Sequence, residues 1–236
     1  MDNLSRSLIR LRVRRRLGPL LRIIGSTYAR ELFYRNILFD AAQAASVKLP
    51  VLFPVGSAAN YSLLALIFRA CHELPVNRVL ELGAGQSTLL LDAISGSRSP
   101  RLPITTVESD AIWAERIGKQ VAHEVLLHRL ETREFLGRPA LCYAKPEALP
   151  TEVDLMIVDG PLGVRRFSRW SALEVASRCL AKEFLIIFDD AERRGEQDTI
   201  RVLLRRQFPN ADFRTIAAAK SQFLVFTERF SAAAFF

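Results

Sequence analysis

Acidic side chains follow three separate apolar runs in this chain, each at the point where the run ends. They are Glu108, Asp159 and the adjacent pair Asp189 and Asp190. A carboxylate in such a place can accept hydrogen bonds from a ribose diol, take a proton from a hydroxyl, or bind a divalent cation. If the runs are neighbouring parallel strands, these ends meet at one edge of the sheet. The sequence therefore predicts a ligand site rich in carboxylates.

A glycine turn lies between another apolar run and a helix start. Residues 79–82 read Val-Leu-Glu-Leu, then come Gly83-Ala84-Gly85 and a helix-forming run. Glycine lacks the Cβ that would keep a ligand away from the backbone. The open amides at a helix N-terminus favour a polar or anionic group. We therefore predict a nucleotide-type cofactor loop from Gly83 to Thr88.

The sequence of this loop matches a dinucleotide-binding loop only in part. A dinucleotide loop prefers a third glycine where this chain has Thr88. Glu108, 23 residues after Gly85, supports an adenosine cofactor of either kind, because dinucleotide enzymes also bind the ribose with such an acid. The further carboxylates at positions 159, 189 and 190 have no standard use in a dehydrogenase. This combination disfavours an NAD-linked oxidoreductase.

The string E-L-G-A-G at residues 81–85 resembles the first motif of the class I S-adenosylmethionine-dependent methyltransferases. In that family the glycine loop lies against the amino-acid part of the cofactor, and the acid helps to order the loop and bind that part. The resemblance covers about residues 54–227 and implies S-adenosylmethionine as the cofactor. The predicted cofactor-binding residues are Glu81, Gly83, Ala84, Gly85, Gln86, Ser87, Thr88, Glu108 and Ser109.

Three further motifs bring the resemblance closer to one group of bacterial methyltransferases. Residues 56–64 read G-S-A-A-N-Y-S-L-L, residues 158–161 read V-D-G-P, and residues 189–193 read D-D-A-E-R. The last two are also similar to the V-D-A-P and H-D-x-D-R segments of the plant glucuronoxylan O-methyltransferases, which act on sugar hydroxyls. The resemblance implies O-methylation of a saccharide or of another small hydroxylated acceptor.

Asp159 is predicted to be the central catalytic group, as base or metal ligand, with Asp190 as its partner. The placement of Asp159, Asp189 and Asp190 resembles the cation site of the metal-dependent catechol-type O-methyltransferases, which carry Asn at the last position. That resemblance implies Mg²⁺ or Mn²⁺. Adjacent strand residues point to opposite faces, so both acids reach one ion only if the strand has turned. The alternative is that one acid caps the next helix or pairs with Arg193 or Arg194.

Other polar and aromatic residues near these motifs have two interpretations each. Arg165, Arg166 and Arg169 could hold an acidic or phosphorylated acceptor, or they could form a solvated basic face. Trp113, soon after Glu108, is expected in the core, where it could also touch the adenine.

Strand and helix patterns alternate from residue 79 onwards. They predict a doubly wound, mostly parallel seven-stranded sheet with an antiparallel last strand, preceded by an N-terminal helical extension. The predicted strands are 79–82, 102–108, 125–130, 153–159, 184–189, 213–217 and 222–227, and the helices between them are 110–120, 167–180 and 197–208. A short extra strand is expected at 141–144. A further helix runs to about residue 74 with Ser57 as its N-cap, while Asn60 and Tyr61 either face the cofactor or begin this helix.

The positive charge of the chain is concentrated at its N-terminus. The net charge is +8 over 236 residues, and residues 1–35 hold nine arginines against two acids, so the remaining residues carry about +1. We predict a basic N-terminal helical extension at residues 1–50 and a methyltransferase domain at residues 51–236. The basic arm predicts contact with anionic lipid or an acidic partner, or simply a solvated extension. The rest of the chain, with a net charge of about +1, is not expected to bind nucleic acid.

Cysteine spacing and hydropathy favour a cytoplasmic protein, with membrane association through the arm as an option. The three cysteines lack C-x-x-C spacing, and no apolar run reaches the length of a membrane span. An alternative to an enzyme is a non-catalytic methyltransferase-like module that binds a partner through the arm. The sequence makes no prediction of oligomeric state.

Overall fold

The structure is a computed structural model that describes residues 27–56 and 58–236. Its elements in chain order are α1 (residues 27–44), α2 (Tyr61–Glu73), β1 (Val79–Leu82), α3 (Gln86–Gly96), β2 (Ile104–Glu108), α4 (Ala111–Gly118), β3 (Glu124–Leu127), β4 (Leu130–Phe135), β5 (Arg138–Tyr143), β6 (Val153–Val158), α5 (Ser171–Cys179), β7 (Leu180–Phe188), α6 (Arg194–Val202), β8 (Asp212–Ile216) and β9 (Gln222–Phe226). Short 3-10 turns lie at Pro146–Ala148 and Glu228–Phe235, and a π turn lies at Leu203–Gln207.

Seven strands form one sheet in the order β3-β2-β1-β6-β7-β9-β8. Strand β9 runs antiparallel to both of its neighbours, and the other pairs are parallel. This arrangement confirms the predicted sheet with its antiparallel last strand. The strand order reverses at β1, between β2 and β6. The carboxyl ends of these strands open the crevice in which doubly wound sheets bind ligands.

Both faces of the sheet are buried under helices. Along β1, Val79 packs on the side of α2 and α3, whereas Leu80 packs on the side of α5. Leu155 and Met156 divide in the same way along β6. Strands covered on both faces need apolar residues at successive positions, which explains why the central strands read as continuous apolar runs.

Helix α2 begins later than the sequence pattern predicts. Asn60 is its N-cap, and the Asn60 side chain accepts a hydrogen bond from the amide of Leu63 at 3.4 Å. Asn60 and Tyr61 therefore begin the helix, which was one of the two interpretations open for them. Ser57, the predicted cap, lies outside the described residues.

The segment between β3 and β6 forms a hairpin that the sequence did not reveal. Strands β4 and β5 pair antiparallel, where only a short strand at 141–144 was predicted. The two-residue turn, Leu136 and Gly137, has φ angles of 54° and 74°. Such turns usually carry Asn-Gly or Asp-Gly. Because this chain has leucine at the first turn position, the sequence did not indicate the turn.

The helix predicted at 167–180 is shorter than expected. Phe167 and Arg169 have φ angles of 52° and 53°, which interrupt a right-handed helix, and α5 begins only at Ser171. Its predicted last residue, Leu180, belongs to β7 instead and pairs with Val153 of β6. Strand β7 is therefore longer than the predicted run 184–189.

Helix α1 is fixed to the core by a buried apolar side chain and by one carboxylate. Leu38 is fully buried in the cluster that also contains α2. Glu31 accepts hydrogen bonds from Asn60 Nδ2 (2.9 Å) and from the amides of Ser62 (3.0 Å) and Ala219 (3.1 Å). This contact joins α1 to the start of α2 and to the loop before β9.

The first 26 residues of the basic helical extension predicted at residues 1–50 lie outside the described residues. Helix α1 is the described helix of that extension. In the stretches 27–56 and 58–236, every helix is too short or too polar to cross a membrane.

Candidate active site

A cavity of about 630 Å³ lies at the carboxyl ends of the parallel strands. Its walls come from the loops after β1, β2, β6 and β7 and from the segment before α2. The lining residues are Val55, Ala58, Ala59, Gly83, Ala84, Gly85, Gln86, Glu108, Ser109, Asp110, Ile112, Trp113, Asp159, Gly160, Pro161, Leu162, Gly163, Arg169, Asp190 and Arg193. The cavity thus brings the glycine loop, Glu108 and Asp159 together.

The two glycines of the loop are required for different reasons. Gly83 has a φ of +97°, and a Cβ there would lie 2.6 Å from the amide nitrogen of Gly160. The neighbouring loop therefore excludes any side chain at position 83. At Gly85, an added Cβ would meet no described atom within 4 Å. Room for a ligand beside the backbone, expected at both glycines, exists at Gly85, whereas Gly83 is packed against protein.

Buried hydrogen bonds hold the glycine loop from behind. The Gly85 amide donates to Thr88 Oγ1 (2.8 Å), and Thr88 Oγ1 donates to Glu81 Oε2 (2.6 Å). Thr106 Oγ1 donates to the same carboxylate oxygen at 2.8 Å. Glu81, Ser87 and Thr88 are buried and lie outside the cavity lining. These three predicted cofactor residues therefore do not line the cavity, and they influence it only through the conformation of the loop.

Glu81 is a fully buried acid with few partners. Burial raises the pKa of Glu81 to about 7, against the lowering effect of nearby hydroxyls. Its Oε1 atom has no hydrogen-bond partner among the described residues. Thr106 Oγ1 also lies 3.0 Å from His123 Nε2, and His123 Nδ1 lies 3.2 Å from Asp92 Oδ1. A chain of polar contacts thus runs from the buried Glu81 to the partly exposed Asp92.

Glu108 ties the loops after β1 and β2 together. Its Oε2 atom accepts a hydrogen bond from the amide of Ala84 at 2.9 Å. Its Oε1 atom accepts from the amides of Ser109 (2.5 Å) and Asp110 (2.8 Å). Trp113 Nε1 donates to the carbonyl of Ala84 at 2.7 Å, which places the indole at the cavity wall instead of in the core. A ribose diol at Glu108 would add to these amide contacts or replace some of them.

Gln86 holds the segment before α2 against the glycine loop. The amide of Phe53 donates to Gln86 Oε1, and Gln86 Nε2 donates to the carbonyl of Phe53. Gln86 therefore lines the cavity while its polar atoms bind protein. Val55, two residues further along, forms part of the same wall.

Three carboxylates meet after β6 and β7, and two of them, Asp159 and Asp190, line the cavity. Asp159 follows β6, Asp189 and Asp190 follow β7, and one oxygen of each lies within 4.8 Å of the others. Asp190 has a φ of 57°, so the chain has turned directly after β7. This turn meets the condition under which both adjacent acids can share one site.

A buried cation, Arg169, already lies in this acidic cluster. Its Nη2 atom donates to Asp159 Oδ1 (3.2 Å) and Asp190 Oδ2 (2.7 Å). Its Nη1 atom donates to the carbonyls of Val158 (3.1 Å) and Asp189 (2.8 Å), and only 3% of the side chain is exposed. The hydrogen-bond donors of Arg169 are therefore used within the cluster. The sequence predicted Arg169 either to bind the acceptor or to form part of a solvated face.

The other two candidate arginines lie outside the cavity lining. Arg165 is exposed, as the solvated interpretation predicts, and Arg166 Nε lies 2.5 Å from Asp198 Oδ2. Neither side chain contributes to the acidic cluster.

Further polar partners of the cluster come from two other parts of the chain. Arg193 Nη1 lies 2.8 Å from Asp190 Oδ2, as the alternative interpretation of that acid predicted. Lys220 Nζ lies 3.9 Å from oxygens of both Asp189 and Asp190. Gln222 Nε2 donates to Asp189 Oδ1 at 2.8 Å. Neither Lys220 nor Gln222 was predicted from the sequence.

The electrostatics of the cluster favour proton exchange at Asp159. Burial first, and then the charge of Asp189, raise the pKa of Asp159, while Arg169 acts in the opposite direction. The Asp159 side chain remains 19% exposed. An acid with a raised pKa at a cavity wall can exchange a proton with a bound hydroxyl.

Comparisons with known proteins establish the fold. No protein-family model matches the chain, and neither does any curated protein. The Podospora anserina methyltransferase PaMTH1, solved with SAH bound, superimposes with a TM-score of 0.50 at 14% identity, over 81% of this chain and 88% of that chain. This chain therefore has the Rossmann-like fold of a class I methyltransferase.

Other solved structures align with somewhat lower scores. A methyltransferase from Geobacter sulfurreducens has a TM-score of 0.49 at 17% identity and covers 82% of this chain and 87% of its own. An O-methyltransferase from Bacillus cereus, in complex with SAH, has a TM-score of 0.48 at 14% identity and covers 86% and 100%.

Proposed function

We propose that this protein is an S-adenosylmethionine-dependent O-methyltransferase that acts on a small hydroxylated acceptor. The position of the cavity carries the proposal. It lies at the carboxyl ends of the strands, and its lining combines the glycine loop and Glu108 with Asp159. Doubly wound sheets bind their ligands at this place. The SAH bound to the Podospora protein of the same fold supports the same type of cofactor.

The glycine loop and Glu108 are assigned to the cofactor. Gly85 leaves open space beside the backbone, where a ligand can approach closely. Glu108 ends β2 at the cavity wall, where its carboxylate can accept hydrogen bonds from a ribose diol. Ala84, Gln86 and Ser109 line the same wall. Behind them Glu81 and Thr88 support the loop through hydrogen bonds, and Ser87 is buried beside them.

Asp159 is assigned to the acceptor as the general base. When bound, S-adenosylmethionine supplies a methyl group on a positively charged sulfur. Asp159 in its carboxylate form would take the proton of the acceptor hydroxyl as the oxygen–carbon bond forms and the carbon–sulfur bond breaks. The role of the cavity walls would be to position the acceptor oxygen for this transfer. Asp190, which shares Arg169 with Asp159, is its partner.

Exposed apolar side chains in the cavity lining indicate what kind of acceptor would fit. Leu162, Ile112 and Val55 line the cavity with 93%, 81% and 74% of their surface exposed. Exposed apolar side chains around a polar interior suit an acceptor that carries an apolar group beside its hydroxyl. The resemblance implies a saccharide acceptor. This acceptor is best tested by comparing two compounds, a glycoside that carries an apolar substituent and the same sugar without the substituent.

Two measurements test the proposal. Calorimetric titration should show binding of S-adenosylhomocysteine and no heat with NAD⁺. Binding of NAD⁺ alone would favour an oxidoreductase, and binding of neither would favour a non-catalytic module. A screen of hydroxylated acceptors with radiolabelled S-adenosylmethionine, with and without Mg²⁺ or Mn²⁺, then identifies the reaction.

A further inference from the structure

The acidic cluster of Asp159, Asp189 and Asp190 has the composition of a divalent-cation site, but protein donors already bind its oxygens. Asp159 Oδ1 and Asp190 Oδ2 both accept hydrogen bonds from Arg169 Nη2, at 3.2 and 2.7 Å. Asp189 Oδ1 accepts from Gln222 Nε2 at 2.8 Å. A hard cation such as Mg²⁺ would compete with these donors for the three carboxylates.

Arg169 cannot leave the cluster without losing other contacts. Its Nη1 atom donates to the carbonyls of Val158 and Asp189, so the guanidinium bonds to the backbone of two strand ends as well as to the acids. A planar guanidinium bound on both sides is fixed in position. A divalent ion at Asp159 and Asp190 would lie beside this buried positive charge, and like charges repel strongly away from water.

Two further oxygens of the cluster lie near a lysine. Asp189 Oδ2 and Asp190 Oδ1 have no hydrogen-bond partner in the described part of the chain, but each lies 3.9 Å from Lys220 Nζ. Arg193 pairs with Asp190 at 2.8 Å. A fourth acid, Glu196, lies 3.8 Å from Arg169 Nε. These four acids face three cations, so the cluster is less negative than three unpaired carboxylates would be.

We propose that Arg169 takes the place of the divalent cation in this site. It is a positioning residue that holds Asp159 and Asp190 at the cavity wall, and methyl transfer proceeds without a bound metal. The inference rests on the proposed function, because it assumes that Asp159 receives the proton of the acceptor. It departs from the metal site that the catechol-type resemblance implies, since Asp159 and Asp190 of that site are bound to the chain's own arginines and Asp189 is bound to Gln222.

Metal binding is the direct test, with Mn²⁺ as the probe. Calorimetric titration of the full chain saturated with S-adenosylhomocysteine should show no Mn²⁺ site at millimolar concentrations. Arg169→Met, which leaves the three carboxylates without their central cation, should gain one. Arg178→Met is the matched control, because Arg178 is a 52% exposed arginine of α5 that pairs with Glu174 outside the cluster. A wild-type Mn²⁺ site that Asp159→Asn abolishes would overturn the inference.

Turnover gives a second readout if Arg169→Met does not fold. Arg169→Lys keeps the charge but not the forked donors, so we expect a fall in kcat of about 100-fold with an unchanged KM for S-adenosylmethionine, as misplaced groups typically show. Wild-type turnover should be equal in EDTA and in Mn²⁺. An unchanged kcat in Arg169→Lys, or wild-type turnover lost in EDTA, would contradict the inference.

The two proposals fail separately. If S-adenosylhomocysteine does not bind, the proposed function fails, while Mn²⁺ titration of the same chain still decides whether the cluster accepts a metal. If S-adenosylhomocysteine binds and the wild type also binds Mn²⁺ through Asp159, only the role of Arg169 is wrong.

Discussion

The two halves of the cavity use their acidic residues in opposite ways. In the half built by the loops after β1 and β2, Glu81 and Glu108 accept hydrogen bonds from neutral hydroxyls and amides. In the half built by the loops after β6 and β7, Asp159 and Asp190 are bound to the buried Arg169. An acid at the end of a strand thus shapes a loop when its partners are neutral. It is held at the cavity wall when its partner is a buried cation.

Removal of the charge at Asp159 should have the largest effect on turnover. Asp159→Asn keeps the shape of the side chain but cannot accept the proton, so we expect kcat to fall by about 10³-fold, within the range for a general base. The affinity for S-adenosylhomocysteine, measured by calorimetry, should stay within a factor of about two, since the variant leaves the other half of the cavity intact. A variant with normal turnover would remove Asp159 from the reaction.

Substitution of the two glycines of the loop should affect stability to different extents. We expect Gly83→Ala to reduce the free energy of unfolding by about 3 kcal/mol or more, because its Cβ would overlap Gly160 and its φ is +97°. Gly85→Ala should change it by less than about 1 kcal/mol, since its Cβ meets open space among the described residues. Urea unfolding of both variants measures the difference. Equal losses would show that both glycines are required by packing.

Burial of Glu81 should make stability depend on pH. The folded-state pKa of about 7 lies above the ordinary 4.5, so the folded protein holds a proton between these values that the unfolded chain has released. Stability is therefore full below about pH 4.5 and lost as pH rises to about 7, with a loss on the order of 3 kcal/mol. Glu81→Gln does not ionise and avoids this loss.

Urea unfolding at two pH values checks this prediction. The advantage of Glu81→Gln over the wild type should be about 2 kcal/mol larger at pH 8 than at pH 5. Glu115→Gln, on the exposed side of α4, is the control, and it should change stability by less than about 0.5 kcal/mol. An advantage of the same size at both pH values would mean that Glu81 ionises normally.

The sequence predicted the half of the cavity built by the loops after β1 and β2 better than the acidic half. The strand, the turn at Gly83-Ala84-Gly85 and the start of α3 are adjacent in the chain, so a local pattern contains them. Glu108 could be placed because parallel strands bring their carboxyl ends to one edge. The partners of Glu81 lie on α3 and on the adjacent strand β2, where Thr106 is its register partner.

The partners of the acidic half depend on backbone features that a local pattern does not contain. Arg169 reaches the cluster from a segment with a φ of 53°, where the sequence pattern predicted a regular helix. Gln222 reaches Asp189 because Phe223 pairs with Phe188 in the antiparallel register. That register was the only available signal for Gln222, and it becomes clear only when β9 is placed beside β7.

Cofactor binding at Gly85 tests the central claim most directly. We predict by calorimetry that one molecule of S-adenosylhomocysteine binds to the wild type and to Gly96→Val, a control at the far end of α3 where an added Cβ also meets no described atom within 4 Å. Gly85→Val should bind about 100-fold more weakly, because overpacking by about 3 kcal/mol corresponds to two factors of ten. Unchanged affinity in a folded Gly85→Val variant, or no binding to the wild type, would contradict a cofactor site at this loop.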